Sequence, residues 1–187
     1  MEMKGEQLIA ADRPRTWAAL NDPETLKACI PGCESITPTG ENQYEVLMTA
    51  RVGPVSAKFK GKLALTDVNP PESYSIAFEG QGGTAGFGKG GAKVRLSEEG
   101  PNTRLAYDVT AQVGGKLAQI GSRLVDAAAK KIASDFFERF NEKVASAAAE
   151  APAAELQPAS PGSSMTKVVA AAIALVLAIA LLAWLAR

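Results

Sequence analysis

Residues 168–186 read VVAAAIALVLAIALLAWLA, an unbroken apolar run without a charge, a glycine or a proline. A helix of that length rises ~28 Å, about the thickness of the hydrocarbon core of a bilayer. A helix buried in a small soluble domain keeps some polar surface, and this segment has none on any face. The run is therefore expected to cross a membrane once. Val168, Leu175 and Leu181 fall within the span, and Trp184 lies near its far end, where an indole favours the interface. Lys167 and Arg187 mark the two borders. Residues 1–5 are polar, and nothing near them resembles a signal peptide. The expected arrangement is a single-pass tail anchor in the cytoplasmic membrane, residues 167–187, with the folded part facing the cytoplasm.

Residues 149–166 are rich in Ala, Pro and Ser and have almost nothing aliphatic to bury, so they read as a linker. That leaves one domain over residues 1–148, long enough for a real core. Residues 1–150 hold 18 basic and 19 acidic side chains, a net charge of −1. Without a basic excess, nucleic acid is not an expected partner. The chain has no histidine, which removes the commonest general base, the commonest metal ligand and the imidazole of the usual triads. Cys29 and Cys33 are spaced CxxxC; two thiols do not complete a structural zinc site, so no metal is expected. They read as two small, partly buried side chains of a reducing compartment.

Within the domain, residues 3–9 suit an edge strand. Pro14 after Asp12 and Pro23 after Asp22 start two short helices, 14–20 and 23–29, and Pro31-Gly32 ends the second. The period then changes to two. Tyr44, Val46, Met48 and Ala50 share one strand face; Val55, Ala57, Phe59, Gly61, Leu63 and Leu65 share the next, with Gly53-Pro54 as the turn between. Tyr74, Ile76 and Phe78, then Ala92, Val94 and Leu96, then Leu105, Tyr107, Val109, Ala111 and Val113 continue the pattern. One wet face per strand marks an antiparallel sheet covered on one side. The cover is residues 116–149, a long helix with Ile120, Leu124, Ala128, Ile132, Phe136, Phe140 and Val144 spaced by four, a stripe that Leu117, Val125 and Phe137 widen. The class is α+β: a helix-grip fold, an antiparallel sheet wrapped on a long C-terminal helix, followed by the transmembrane helix.

The stretch Trp17 to Ile36, WAALNDPETLKACIPGCESI, followed by RVGPVSAKFKGK at residues 51–62, resembles the CoxG-like family, the G-type accessory proteins of carbon monoxide dehydrogenase. That family belongs to the START-like, Bet v 1-like (SRPBCC) superfamily, and the resemblance covers about residues 1–148. It implies a non-enzymatic accessory protein that recruits a molybdenum-containing carbon monoxide dehydrogenase, or a related molybdenum hydroxylase, to the cytoplasmic membrane. It also allows an apolar guest between sheet and helix, a respiratory quinone being the candidate, with no covalent cofactor and no catalytic residues to carry over. The other readings are a START-like lipid carrier and a cyclase-type enzyme, neither connected to a dehydrogenase.

Met48, Phe59, Phe78, Tyr107, Ile120, Leu124 and Ala128 are the expected lining of that cavity, which these residue types otherwise fill simply as core. Phe87 stands in the glycine-rich stretch 80–91, read as a flexible hairpin or as a lip over the cavity. Gly83, Gly88 and Lys89 match the start of a phosphate-binding loop, but Gly90 replaces the hydroxyl residue and a strand pattern follows, so nucleotide binding is rejected. Lys58, Lys60 and Lys62 form an outward basic row, a solvated edge or a docking surface for an acidic partner or lipid headgroups.

Overall fold

The computed structural model describes residues 2–150. The expected span, with Val168, Leu175, Leu181 and Trp184, lies outside the described residues, as does the linker from residue 151 onward. Among the described residues no helix is long and apolar enough to cross a membrane.

The elements run β1 (Glu2–Ile9), α1 (Arg13–Leu20), α2 (Pro23–Cys29), β2 (Cys33–Gly40), β3 (Gln43–Val52), β4 (Val55–Asn69), β5 (Ser73–Gln81), β6 (Phe87–Glu99), β7 (Asn102–Gly114), α3 (Lys116–Gln119) and α4 (Ser122–Glu150). The strands form one antiparallel sheet in the order β1-β7-β6-β5-β4-β3-β2. The fold is α+β and helix-grip-like, with α4 against the sheet's apolar face. Both short helices begin where an aspartate satisfies free N–H groups: Asp12 accepts from the Arg15 N–H at 2.8 Å and Asp22 from the Thr25 N–H at 3.0 Å. The inward faces follow the alternation, from Tyr44, Val46 and Met48 on β3 to Leu105, Val109 and Val113 on β7, all buried.

Three features depart from the expected pattern. Residues 33–40 form β2, an edge strand whose mostly polar, half-exposed residues give no alternation; pairing with β3 creates it, with two register shifts. The long helix is interrupted at Gly121, whose φ of +89° a right-handed helix does not accept. The helical phase restarts at Ser122, so the buried stripe of α4 is Val125, Ala129, Ala133, Phe136, Phe137, Phe140 and Val144. Ile120, Ala128 and Ile132 sit half-buried along its margin, and Leu124 is 48% exposed. The aromatic triplet 136, 137 and 140 fixes this phase, and Ala129 and Ala133 extend its line toward the open end.

Candidate functional site: the helix–sheet interior and its open end

Of the expected lining residues, Met48, Phe59 and Phe78 project from β3, β4 and β5 into one hydrophobic core and are 1–5% exposed. Beside them the register aligns Val46, Gly61, Gly80, Gly88 and Val113 across five strands. The three central positions carry no side chain, so bare backbone faces inward between two valines. A Cβ added at Gly80 would meet nothing closer than 3.9 Å, an ordinary contact, while Gly61 and Gly88 beside it are buried. The Phe59 ring, in contrast, lies directly against Gly82. Tyr107 is half-buried on β7, next to the edge strand β1, stacked on Phe137 at 5.7 Å with its hydroxyl end over Gly5 of β1. Burial pushes its phenol pKa up.

Leu124 is brought not to this interior but to one end of it, Ile120 and Ala128 pack half-buried against its margin, and Phe87, next to the inward Gly88, points to the outer face of the sheet at that end. There the β3–β4 turn, the 82–87 connection and the 114–121 connection converge. Leu124 lies 3.4 Å from a Cβ position at Gly53, and the Phe87 ring covers Gly114. The Gly86 and Gly115 backbones pass so closely that a Cβ at Gly115 would stand 2.5 Å from the Gly86 Cα. Phe87 is 47% and Leu124 48% exposed, an unusual placement for such side chains. The phosphate-loop pattern falls here too: a 3-10 turn over Gly83–Ala85 leads straight into β6, so no helix N-terminus follows it.

The opposite end is closed. Beneath α1, Tyr74 is 2% exposed and meets Trp17 edge-on at 5.5 Å. Its hydroxyl is buried without a hydrogen-bond partner among the described residues, and desolvation holds its pKa far above the ordinary phenol value. It is thus a committed proton donor with no acceptor among them. Arg13 reaches Glu98 at 2.9 Å and Glu72 at 3.5 Å, while the Thr103 hydroxyl donates to the Ala11 carbonyl at 2.8 Å. Asn141 of α4 accepts from the Ala10 N–H and donates to the Leu8 carbonyl, tying helix to edge strand. Cys29 and Cys33 are unpaired; burial raises both thiols, Cys33 to about 11, which suppresses nucleophilic reactivity. Among the described residues no three metal-type donors cluster.

The outer face of the sheet carries a groove of about 1130 Å³ that the sequence does not announce. Its floor is the row Gln43–Ala64–Ala77–Gly91–Thr110, and one rim is Glu45–Lys62–Glu79–Lys89–Gln112. The basic row is largely consumed within this surface: Lys58 pairs with Glu34 at 2.7 Å and Lys60 with Glu45 at 3.0 Å, while Lys62 stands between Glu45 and Glu79 in register.

Residues 5–145 match the family described as the carbon monoxide dehydrogenase G-subunit, CoxG. No curated protein matches the chain. Among solved structures, a conserved protein from Geobacillus kaustophilus is 31% identical with a TM-score of 0.75, covering 79% of this chain and 97% of that one. A START superfamily protein from Mycobacterium smegmatis is 14% identical at a TM-score of 0.61, covering 78% and 98%. The Zhui aromatase/cyclase from Streptomyces sp. R1128 is 12% identical at 0.56, covering 78% and 93%. The last two establish likeness of fold alone.

Proposed function

Because the chain belongs to the CoxG family of carbon monoxide dehydrogenase, we propose that it is the membrane-held accessory protein of a molybdenum-containing carbon monoxide dehydrogenase or a related molybdenum hydroxylase. The observation that carries this reading is the family match over residues 5–145, which takes in nearly the whole described fold. The apolar run at 168–186 supports attachment to the cytoplasmic membrane, with the domain on the cytoplasmic side.

A respiratory quinone is the proposed guest of the helix–sheet interior, where it supplies a lipid-soluble electron acceptor. The bare patch at Gly61, Gly80 and Gly88 is the proposed seat of a flat apolar body, with Met48, Phe59 and Phe78 around it. Ile120, Leu124 and Ala128 form the apolar margin by which a guest passes, and Tyr107 stacked on Phe137 walls the interior on the β7 side.

Two measurements test the proposal. Deleting residues 165–187 is expected to move the dehydrogenase from membrane to soluble fractions; unchanged recovery with membranes refutes anchoring. Organic extracts of the full chain from its own membranes are expected to contain stoichiometric quinone, and an extract without it refutes the guest.

A further inference from the structure

We infer that the open end of the domain docks on an anionic phospholipid surface, so that the apolar margin of the interior faces the bilayer directly. The inference rests on the proposed membrane attachment for proximity to lipid, and on separate observations for the face presented. The three segments that meet at this end, residues 51–58, 82–89 and 112–125, contain Arg51, Lys58, Lys89, Lys116 and Arg123 and not one acidic residue. The domain as a whole is almost neutral, so this is a strong local asymmetry.

Some of that charge is already used. Lys58 is paired with Glu34, Lys89 stands opposite Glu79 on the outer face, and Asp126 lies just beyond the last segment. Arg51, Lys116 and Arg123 remain, all exposed and in no ion pair among the described residues. On these segments Phe87, on the outer face of the sheet, and Leu124, on α4 beside the β3–β4 turn, are each about half exposed, with Pro54 exposed and Val55 and Ile120 half-buried. Cations around a projecting apolar tip match an anionic lipid surface: phosphates meet the guanidinium and ammonium groups, and the tip enters the interface. An acidic protein patch would satisfy the charges but would leave Phe87 and Leu124 against a polar surface.

Chain length permits this orientation. The 29 residues of α4 start at the open end and rise ~43 Å away from it. Residues 151–166, fully extended, reach ~50 Å, enough to return to a bilayer lying under the open end.

The test uses the full chain carrying Ser56→Cys, an exposed position beside the β3–β4 turn, labelled with a small environment-sensitive fluorophore. The buried Cys29 and the Cys33 thiol, raised to about 11, leave the new thiol as the reactive one near neutral pH. Vesicles of phosphatidylcholine alone and of phosphatidylcholine with phosphatidylglycerol, both with brominated acyl chains, are compared by flotation and by quenching of the label. Three cations at about 1 kcal/mol each correspond to roughly a hundredfold shift of this end toward the anionic surface. The expected result is flotation with both vesicles, strong quenching only with phosphatidylglycerol, and loss of quenching in R51E/K116E/R123E. The charge-keeping variant R51K/K116R/R123K must retain quenching.

Flotation with an unquenched label in anionic vesicles overturns the inference and leaves the anchor intact. Equal quenching in both vesicles, or quenching that survives charge reversal, overturns it as well. Flotation and quenching with anionic vesicles only would support the docking face and refute the tail anchor. No flotation with either refutes both.

Discussion

The two ends of the helix–sheet layer are built from opposite material. At the closed end, Ile9, Leu20 and Leu26 are fully buried, Asp12 and Asp22 cap the short helices, and Arg13, Thr103 and Asn141 bind separate elements together. At the open end three glycine-bearing connections meet, large apolar side chains reach solvent, and three cations stand outside any ion pair among the described residues. One end spends its residues on holding the fold; the other leaves its groups available to something outside it. Conformational freedom at Gly86 and Gly115, with φ of +117° and +79°, belongs to the second task.

Truncating side chains at the two ends should give the largest contrast. Phe140→Ala removes a fully buried ring packed on Phe136 and is expected to cost about 3–5 kcal/mol in urea unfolding. Leu124→Ala, at the open end, should stay within about 0.5 kcal/mol. Comparable losses at both positions would erase the distinction.

Tyr74→Phe sharpens it from the closed side. Deleting a buried hydroxyl without a partner among the described residues should raise stability by about 1 kcal/mol. A destabilised variant would mean that the hydroxyl has an acceptor in the fold itself. Gly80→Ala is a gentler probe of the interior. Its Cβ finds only ordinary contact distances, so unfolding should change by no more than about 0.5 kcal/mol. Quinone recovered in the extract should fall, and fall further with Gly80→Val; undiminished recovery would remove this patch from the binding region.

The smallest effect is a pH dependence near the open end. Hydrogen bonds from the Lys58 ammonium and the Thr49 hydroxyl hold the Glu34 carboxyl below its ordinary value of 4.5. A carboxyl depressed in the folded state contributes stability that is fully present above its unfolded pKa. That contribution is lost as pH falls below 4.5 and through the folded value. Proton titration of Glu34 by NMR should show its midpoint rise toward 4.5 in Lys58→Met, and an unmoved midpoint would exclude the pair as the cause.

Much of this was legible in the chain. The helix starts at Asp12 and Asp22 follow from side-chain oxygens that accept free N–H groups, a purely local requirement. The inward faces of β3 to β7 follow from period-two alternation. Strand β2 was not legible, because an edge strand with one half-covered face needs no apolar rhythm and forms only when β3 offers its hydrogen bonds. The buried face of α4 was legible in Val125, Phe136, Phe137, Phe140 and Val144, but not the exposure of Leu124: Leu124 and Val125 are both apolar, and spacing alone does not say which of two neighbours is covered. Gly121 did carry a signal, since a glycine before Ser122 ends one helix and starts another.

Pattern and composition alone determined which strand residues face inward, that the domain lacks imidazole chemistry, and that an apolar span-length run follows a linker. Only the tertiary structure decided which residues become neighbours. Register placed Gly61, Gly80 and Gly88 in one inward row and Ala64, Ala77 and Gly91 in one outward row. The meeting of three connections brought Arg51, Lys116 and Arg123 to the same end of the fold as Phe87 and Leu124. The physical reason is that alternation belongs to each strand's own backbone, whereas register and convergence depend on turns, bulges and helix phase summed over the whole chain.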